Sequence, residues 1–432
     1  MNRRNFIIWL FSTILFIFTS VNSFSSELKN MIEALPGVES VKTMDGNQHF
    51  NAKYEVMFRQ PLDHKNPSAG SFLQRIFVAH FHFQHPMVLI TEGYAAHYAS
   101  RKSYINELTT IVDGNQICVE HRYFGKSVPK DDPQYKYLTV ANAAADHHAI
   151  IQQFKKLYQG KWLTTGISKG GQTTLFHRSL YPNDVDVSVP YVAPLNFGIE
   201  DGRHEPFIDQ VGTPKDRKAI RNFQLEVLKR RDKMLPMLKE VSDDKGYTYR
   251  ISLDEVLDYM VLEYSFAFWQ WGTKRKTIPT ASASDKDIFN HLMAISSCNY
   301  FAIEGIAPTL SFFIQAAKEL GYYGYDTKPF EQYLKIKTAK GYLNRIFIPE
   351  NLDLQYEKRT MKAVKKFVKK EDPKMLFIYG EVDPWSAPAV QFKNKKNMIK
   401  LVKKGGSHRA RILNMPTNQK NRAIKQLEEW LE

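Results

Sequence analysis

Gly166-Ile167-Ser168-Lys169-Gly170 lies between an apolar, strand-like approach, Lys161 to Thr165, and a helix-like exit, Gln172 to Leu180. The pattern G-x-S-x-G at a strand-to-helix junction reads as a nucleophile elbow. The turn is so sharp that the serine adopts strained φ/ψ, which only small neighbours permit, and its hydroxyl is pushed into the open. The N–H of the following residue, Lys169, and the start of the next helix then face any negative charge that develops on an attacked carbonyl.

A serine nucleophile needs a base and an acid to orient that base, and in elbow folds these follow in the order serine, acid, histidine. The chain has thirteen histidines, but only His408 follows the best acid, Asp383. Asp383 sits just beyond the apolar run Lys374 to Gly380, a short strand ending in a glycine turn. His408 follows the strand-like stretch Asn397 to Val402 and the loop Gly405-Gly406-Ser407. The candidate catalytic set is therefore Ser168, Asp383 and His408.

Periodicity extends the reading outward. Tyr54 to His82 reads as strands joined by turns, Met87 to Thr91 and Gln116 to His121 as buried strands, and Val140 to Leu157 as a helix. The elbow strand and Val185 to Val192 follow. Strands alternating with helices predict an α/β fold with a mainly parallel sheet. After Pro194 the pattern turns helical: Thr213-Pro214 opens a helix, and Ser252 with Glu255 and Ser284 with Asp287 imitate capping boxes. No strong strand returns until about Met375. Two βα units need only about 30 residues each, so the excess between Ser168 and Asp383 predicts a helical insertion over about 199–350 that overhangs the catalytic face. The core would comprise 24–198 and 351–432. The cluster Tyr264, Phe266, Phe268, Trp269 and Trp271 fits either the interior of this cap or a substrate pocket.

Composition narrows the class. At 432 residues, 43% hydrophobic and 24% charged, the chain is an ordinary globular protein too long for one compact core. Residues 1–23, with Arg3 and Arg4 before the apolar stretch Phe6 to Phe18, read as a secretory signal peptide. The stretch is shorter than the roughly 20 residues that span a bilayer, so no stable membrane insertion is expected and the protein would be exported, periplasmic or extracellular. The net charge is +15, and lysines cluster in two stretches, Lys362 to Lys370 and Lys393 to Lys400. Val364, Phe367 and Val368 make the first an amphipathic helix with a solvated basic face. No aromatic-basic recognition module accompanies it, so nucleic acid is not an expected partner. Cys118 and Cys298 permit one disulfide at most, and Cys118, inside an apolar run, reads as a buried free thiol.

Other motifs carry less. Gly125-Lys126-Ser127 imitates a phosphate loop, but Glu120 stands where its first glycine must be. His204-Glu205 begins like a zinc-protease helix that Pro206 and Ile208 contradict. His80, His82 and His85 lack a carboxylate or thiol at ligand spacing, so no metal and no cofactor are expected. His147-His148 reads as helix surface.

Phe58-Arg59-Gln60-Pro61-Leu62-Asp63-His64, Glu120-His121-Arg122-Tyr123-Phe124-Gly125-Lys126-Ser127, the elbow ending Gly170-Gly171, and Val382-Asp383-Pro384-Trp385 together resemble the S37 family of secreted tripeptidyl aminopeptidases, the PS-10 peptidases. That family is related to the S28 family of prolyl carboxypeptidase and dipeptidyl peptidase II. The resemblance runs from about Tyr54 to His408 and implies an α/β-hydrolase core with a helical cap. It also implies release of short peptides from a free N-terminus, often after proline. Ile167 and Lys169 replace the serine and tyrosine usual in S28, so S28 specificity does not carry over. On this reading the oxyanion is met by the N–H of Lys169 and a second N–H from the Glu92-Gly93-Tyr94 loop, that of Tyr94 or Gly93. An aminopeptidase must also neutralise a bound ammonium; Glu92 and Glu205 are the candidates, with Glu200 and Asp201 as rivals. The same triad would equally serve an esterase, and a fold retained without catalysis is a third possibility.

Overall fold

The computed structural model describes residues 25–432; the expected signal peptide lies outside them. Nine strands form one sheet in the order β1-β2-β3-β5-β4-β6-β7-β8-β9. Three antiparallel strands form one side: β1 (Val38–Met44), β2 (Ala52–Pro61) and β3 (Ser71–His80). β3 pairs antiparallel with β5 (Asn115–Val119), and from β5 onward every pairing is parallel: β4 (Met87–Thr91), β6 (Trp162–Ile167), β7 (Val187–Tyr191), β8 (Met375–Gly380) and β9 (Met398–Lys403). The parallel strands are mostly buried on both faces, which is why they read as continuous apolar runs rather than as alternation. This is the α/β-hydrolase architecture.

The chain winds from β4 outward to β5, then returns to the other side of β4 as β6. Open α/β sheets bind ligands at such a switch point, in the crevice beyond the carboxyl ends of the strands. Both the loop after β4 and the elbow after β6 open into this crevice. Helices Val140–Phe154 and Lys169–Leu180 cover the sheet beside it.

Between β7 and β8 every regular element is helical. Thr213 and Ser252 close complete capping boxes with Asp216 and Glu255, and Ser284 accepts the N–H of Asp287, so the three expected helix starts are present. The longest helix, Leu253–Trp271, is nearly all buried. Its residues join a large apolar cluster that also takes in Tyr123 and Trp385 from the sheet side. Helix Lys358–Lys370 then returns the chain to β8, burying Met361, Val364 and Val368 and turning its lysines outward.

Three expectations are corrected or completed here. His147 is 1% exposed and bonds the Ala143 carbonyl, so it is interior rather than helix surface. His148 alone reaches outward, to Asp184. Cys118 and Cys298 are both buried and free. The aromatic cluster divides: Tyr264, Phe266, Phe268 and Trp269 are interior, whereas Trp271 is half-exposed and lines the cavity described next.

Candidate active site

Ser168 stands between β6 and helix Lys169–Leu180 with φ of 59° and ψ of −120°, a left-handed conformation unusual for a non-glycine residue. The turn closes only because Gly166 has no side chain: a Cβ there would lie 2.3 Å from the Gly170 carbonyl oxygen. Ser168 N–H bonds Tyr191 O at 2.9 Å, which fixes the elbow to β7. As the first residue of the helix, Lys169 has a backbone N–H with no intrahelical partner.

Asp383 and His408 come from loops after neighbouring strands, β8 and β9. Their approach depends on Gly380, where a Cβ would meet the Ser407 carbonyl oxygen at 2.3 Å. The Asp383 carboxylate, wholly buried, accepts the Trp385 N–H on Oδ1 at 3.1 Å and pairs with His408 Nδ1 through Oδ2 at 2.7 Å. With Nδ1–H given to the carboxylate, Nε2 is the free basic nitrogen. The His408 backbone N–H bonds the Gln270 carbonyl oxygen at 3.0 Å, and the Trp271 ring sits 6.0 Å from the imidazole. Ser168, Gln270 and Trp271 line one cavity of about 460 Å³, whose walls include Tyr94, Tyr322 and Trp385.

The loop after β4 is held from several sides. Lys169 Nζ donates to Gly93 O at 2.7 Å and lies over the rings of Tyr94 and Phe124. Burial pushes this ammonium well below its ordinary value, partly offset by Glu92. The two candidate second donors, the N–H groups of Gly93 and Tyr94, both belong to this clamped loop, and Tyr94 also lines the Ser168 cavity.

Two further motifs become a brace behind this loop. Buried Glu120 receives Arg75, the Ala96 and Lys126 N–H groups and the Ser127 hydroxyl. Ser127 is thus a partner of Glu120 and not part of a phosphate loop. Arg122 pairs with Asp146 through Nε and Nη2, both at 2.7 Å, and donates to Leu62 O, while His64 bonds Asp146 at 2.8 Å. Residues 58–64 and 120–127 are therefore fastened to one buried carboxylate.

None of the expected ammonium-binding acids lines the Ser168 cavity. Glu92 faces a different cavity, with Tyr98 and Arg411, and donation from Tyr98 occupies its carboxylate. Burial raises it to about 7. Glu205 lines a separate cavity of about 330 Å³ beside Tyr325 and Asp326. Glu200 bonds the Gly341 N–H, and Asp201 is paired with Arg203. The carboxylate that does line the Ser168 cavity is Glu263, on helix Leu253–Trp271, which sequence reasoning missed. Tyr323 and Tyr325 hydroxyls both donate to its Oε2 at 2.8 Å, and burial raises it to about 7. Its signal was present: an acid inside V-L-E-Y-S-F-A-F-W, a helix apolar all round, must be buried. Among the described residues no cluster of three or more His, Cys, Asp or Glu is arranged to hold a metal.

The chain is 29% identical over 427 residues to a prolyl tri/tetrapeptidyl aminopeptidase from Streptomyces mobaraensis, covering 95% of this chain and 86% of that protein. It is 28% identical over 160 residues to a lysosomal Pro-X carboxypeptidase from Mus musculus, covering 33% of each. Among solved structures it aligns with a proline iminopeptidase from Mycobacterium smegmatis at a TM-score of 0.43 and 11% identity, covering 91% of this chain and 99% of that one. Residues 23–432 match the PS-10 peptidase family S37. A fold built around a serine elbow, matched over almost its whole length, makes this chain a serine peptidase of the S37 family.

Proposed function

We propose that this peptidase releases di- and tripeptides from the free N-terminus of peptides, preferring proline before the cleaved bond, through an acyl-enzyme formed on Ser168. The observation that carries the reading is the 2.7 Å bond from His408 to Asp383, with His408 held by Gln270 and Trp271, which line one cavity with a serine in left-handed conformation. His408 Nε2 takes the Ser168 proton as Oγ attacks the peptide carbonyl, and Asp383 stabilises the imidazolium. The N–H groups of Lys169 and Tyr94 receive the oxyanion. His408 then protonates the leaving amine, and water, activated by the same imidazole, releases the acyl group.

The proline preference draws support from the aromatic walls, Tyr94, Phe312, Tyr322 and Trp385, which suit an apolar ring, and from the specificity in the name of the Streptomyces relative. In this reading residues 199–350 form a cap inserted between core segments 24–198 and 351–432, and the cap walls in the cavity so that a chain end enters but a folded surface does not. Residues 1–23 act as a signal peptide, and the protein works in the periplasm or outside the cell. In keeping with this, no helix among the described residues is long and apolar enough to cross a membrane.

The test pairs peptides of identical sequence with free or acetylated N-termini and resolves products by mass spectrometry. Short N-terminal fragments from the free peptide alone, lost in Ser168→Ala, would support the reading. Hydrolysis of simple esters without any peptide cleavage would overturn it.

A further inference from the structure

Glu263 is 6% exposed, and two phenol hydroxyls serve only its Oε2. These two tyrosines are its hydrogen-bond donors, and no ion pair among the described residues includes it. A desolvated carboxylate without a cation is unfavourable by several kcal/mol, so its retention in the wall of a substrate cavity asks for a positive charge from elsewhere. Among the residues lining that cavity it is the one acid.

Its position on the helix adds a length. Glu263, Ala267, Gln270 and Trp271 all line the cavity and stand at i, i+4, i+7 and i+8, one face of helix Leu253–Trp271. Gln270 holds the backbone of His408, so the reacting bond belongs at that end. At 1.5 Å rise per residue, seven residues separate Glu263 from Gln270 by about 10 Å along the axis. Extended peptide covers ~3.3–3.6 Å per residue, so about three residues fill the interval.

We propose that Glu263 binds the α-ammonium of the substrate and that its height above Gln270 on this helix acts as a ruler that sets how many residues are released. This rests on the exopeptidase reading above and deepens it. The ammonium lies against Oε1 while Tyr323 and Tyr325 hold Oε2. The chain then runs along the aromatic wall with its scissile carbonyl at Ser168.

The experiment compares wild type, Glu263→Gln and the double variant Glu263→Gln/Ala267→Glu on free and N-acetylated peptides, with product lengths read by mass spectrometry. Wild type should favour the free amine in kcat/KM by roughly 30-fold, the scale of a charge-assisted hydrogen bond, and Glu263→Gln should bring that ratio close to one. The double variant, with its acid one helical turn nearer Gln270, should recover the preference and release products one or two residues shorter. Retained discrimination in Glu263→Gln, or unchanged product length in the double variant, would overturn the ruler while leaving the peptidase reading intact. Indifference of wild type to acetylation would overturn both. Should Glu263→Gln not fold, Tyr325→Phe carries the test: a higher KM for free-amine peptides supports the anchor, and an unchanged KM contradicts it.

Discussion

Lys169 Nζ donates to the Gly93 carbonyl oxygen at 2.7 Å, so the residue directly after Ser168 grips the loop that follows β4. One residue thereby joins both candidate oxyanion donors, its own N–H and that of Tyr94. Lys169→Met keeps the length and removes the grip. The expected result is a fall in kcat of about 10- to 100-fold with a smaller change in KM, because the loss falls on the oxyanion rather than on ground-state binding. Steady-state kinetics on one free-amine peptide would check it; a change confined to KM would contradict it.

Asp383 spends one oxygen on the Trp385 N–H and the other on His408 Nδ1. Asp383→Asn preserves shape but offers the imidazole an amide, which favours the wrong tautomer. A loss of about 10⁴ in kcat is expected, with the thermal midpoint little changed. Labelling of Ser168 by a fluorophosphonate should slow in parallel.

Glu120 belongs to the brace and not to the chemistry. Glu120→Ala strands Arg75 in the interior and leaves the Ala96 and Lys126 N–H groups without their acceptor. Breaking a buried pair in this way costs about 3–5 kcal/mol, measurable by denaturant unfolding. Loss of activity at full stability would contradict this assignment.

The acidity of Glu263 gives a pH signature. Burial raises its carboxyl to about 7, and the groups around it, Tyr300, Tyr322, Tyr323, Tyr325 and Tyr342, are buried phenols raised by desolvation, hence neutral in this range. The folded protein keeps a proton here that the unfolded chain releases at its ordinary, lower value. The stability from neutral Glu263 is therefore full at acid pH and is lost as pH rises through about 7. Ammonium binding runs the other way, since it needs the carboxylate. KM for free-amine peptides should rise by about tenfold per pH unit below the carboxyl's value, and Glu263→Gln should flatten that limb. Glu92 also titrates near 7 but faces another cavity, so Glu92→Gln should leave the KM profile unaltered.

Much of this was legible in the residues. The parallel strands announced themselves as apolar runs, and β4 has the bounds read from its sequence, Met87–Thr91. Thr213, Ser252 and Ser284 declared their helices because capping is local chemistry. The order of serine, acid and histidine could be read because each follows its own strand. β1 went unread because VESVKTM is largely exposed and has no continuous apolar face. Which acid lines the Ser168 cavity was not legible, for a different reason. Glu92 adjoins the loop after β4 in sequence, yet its side chain points to Tyr98, and no local pattern records which side of a loop a carboxyl takes. Glu263 acquires its surroundings from Tyr323 and Tyr325, some sixty residues later in the chain.

Asp383 follows β8 and His408 follows β9, the last two strands of the chain, long after the elbow is laid down. A growing polypeptide thus carries its alcohol well before it owns a base. Until β8 and β9 dock beside β7, that hydroxyl is no more reactive than any other serine's. On the proposed triad, competence arrives only with completion, and a chain cut short anywhere before Met375 is expected to be chemically silent.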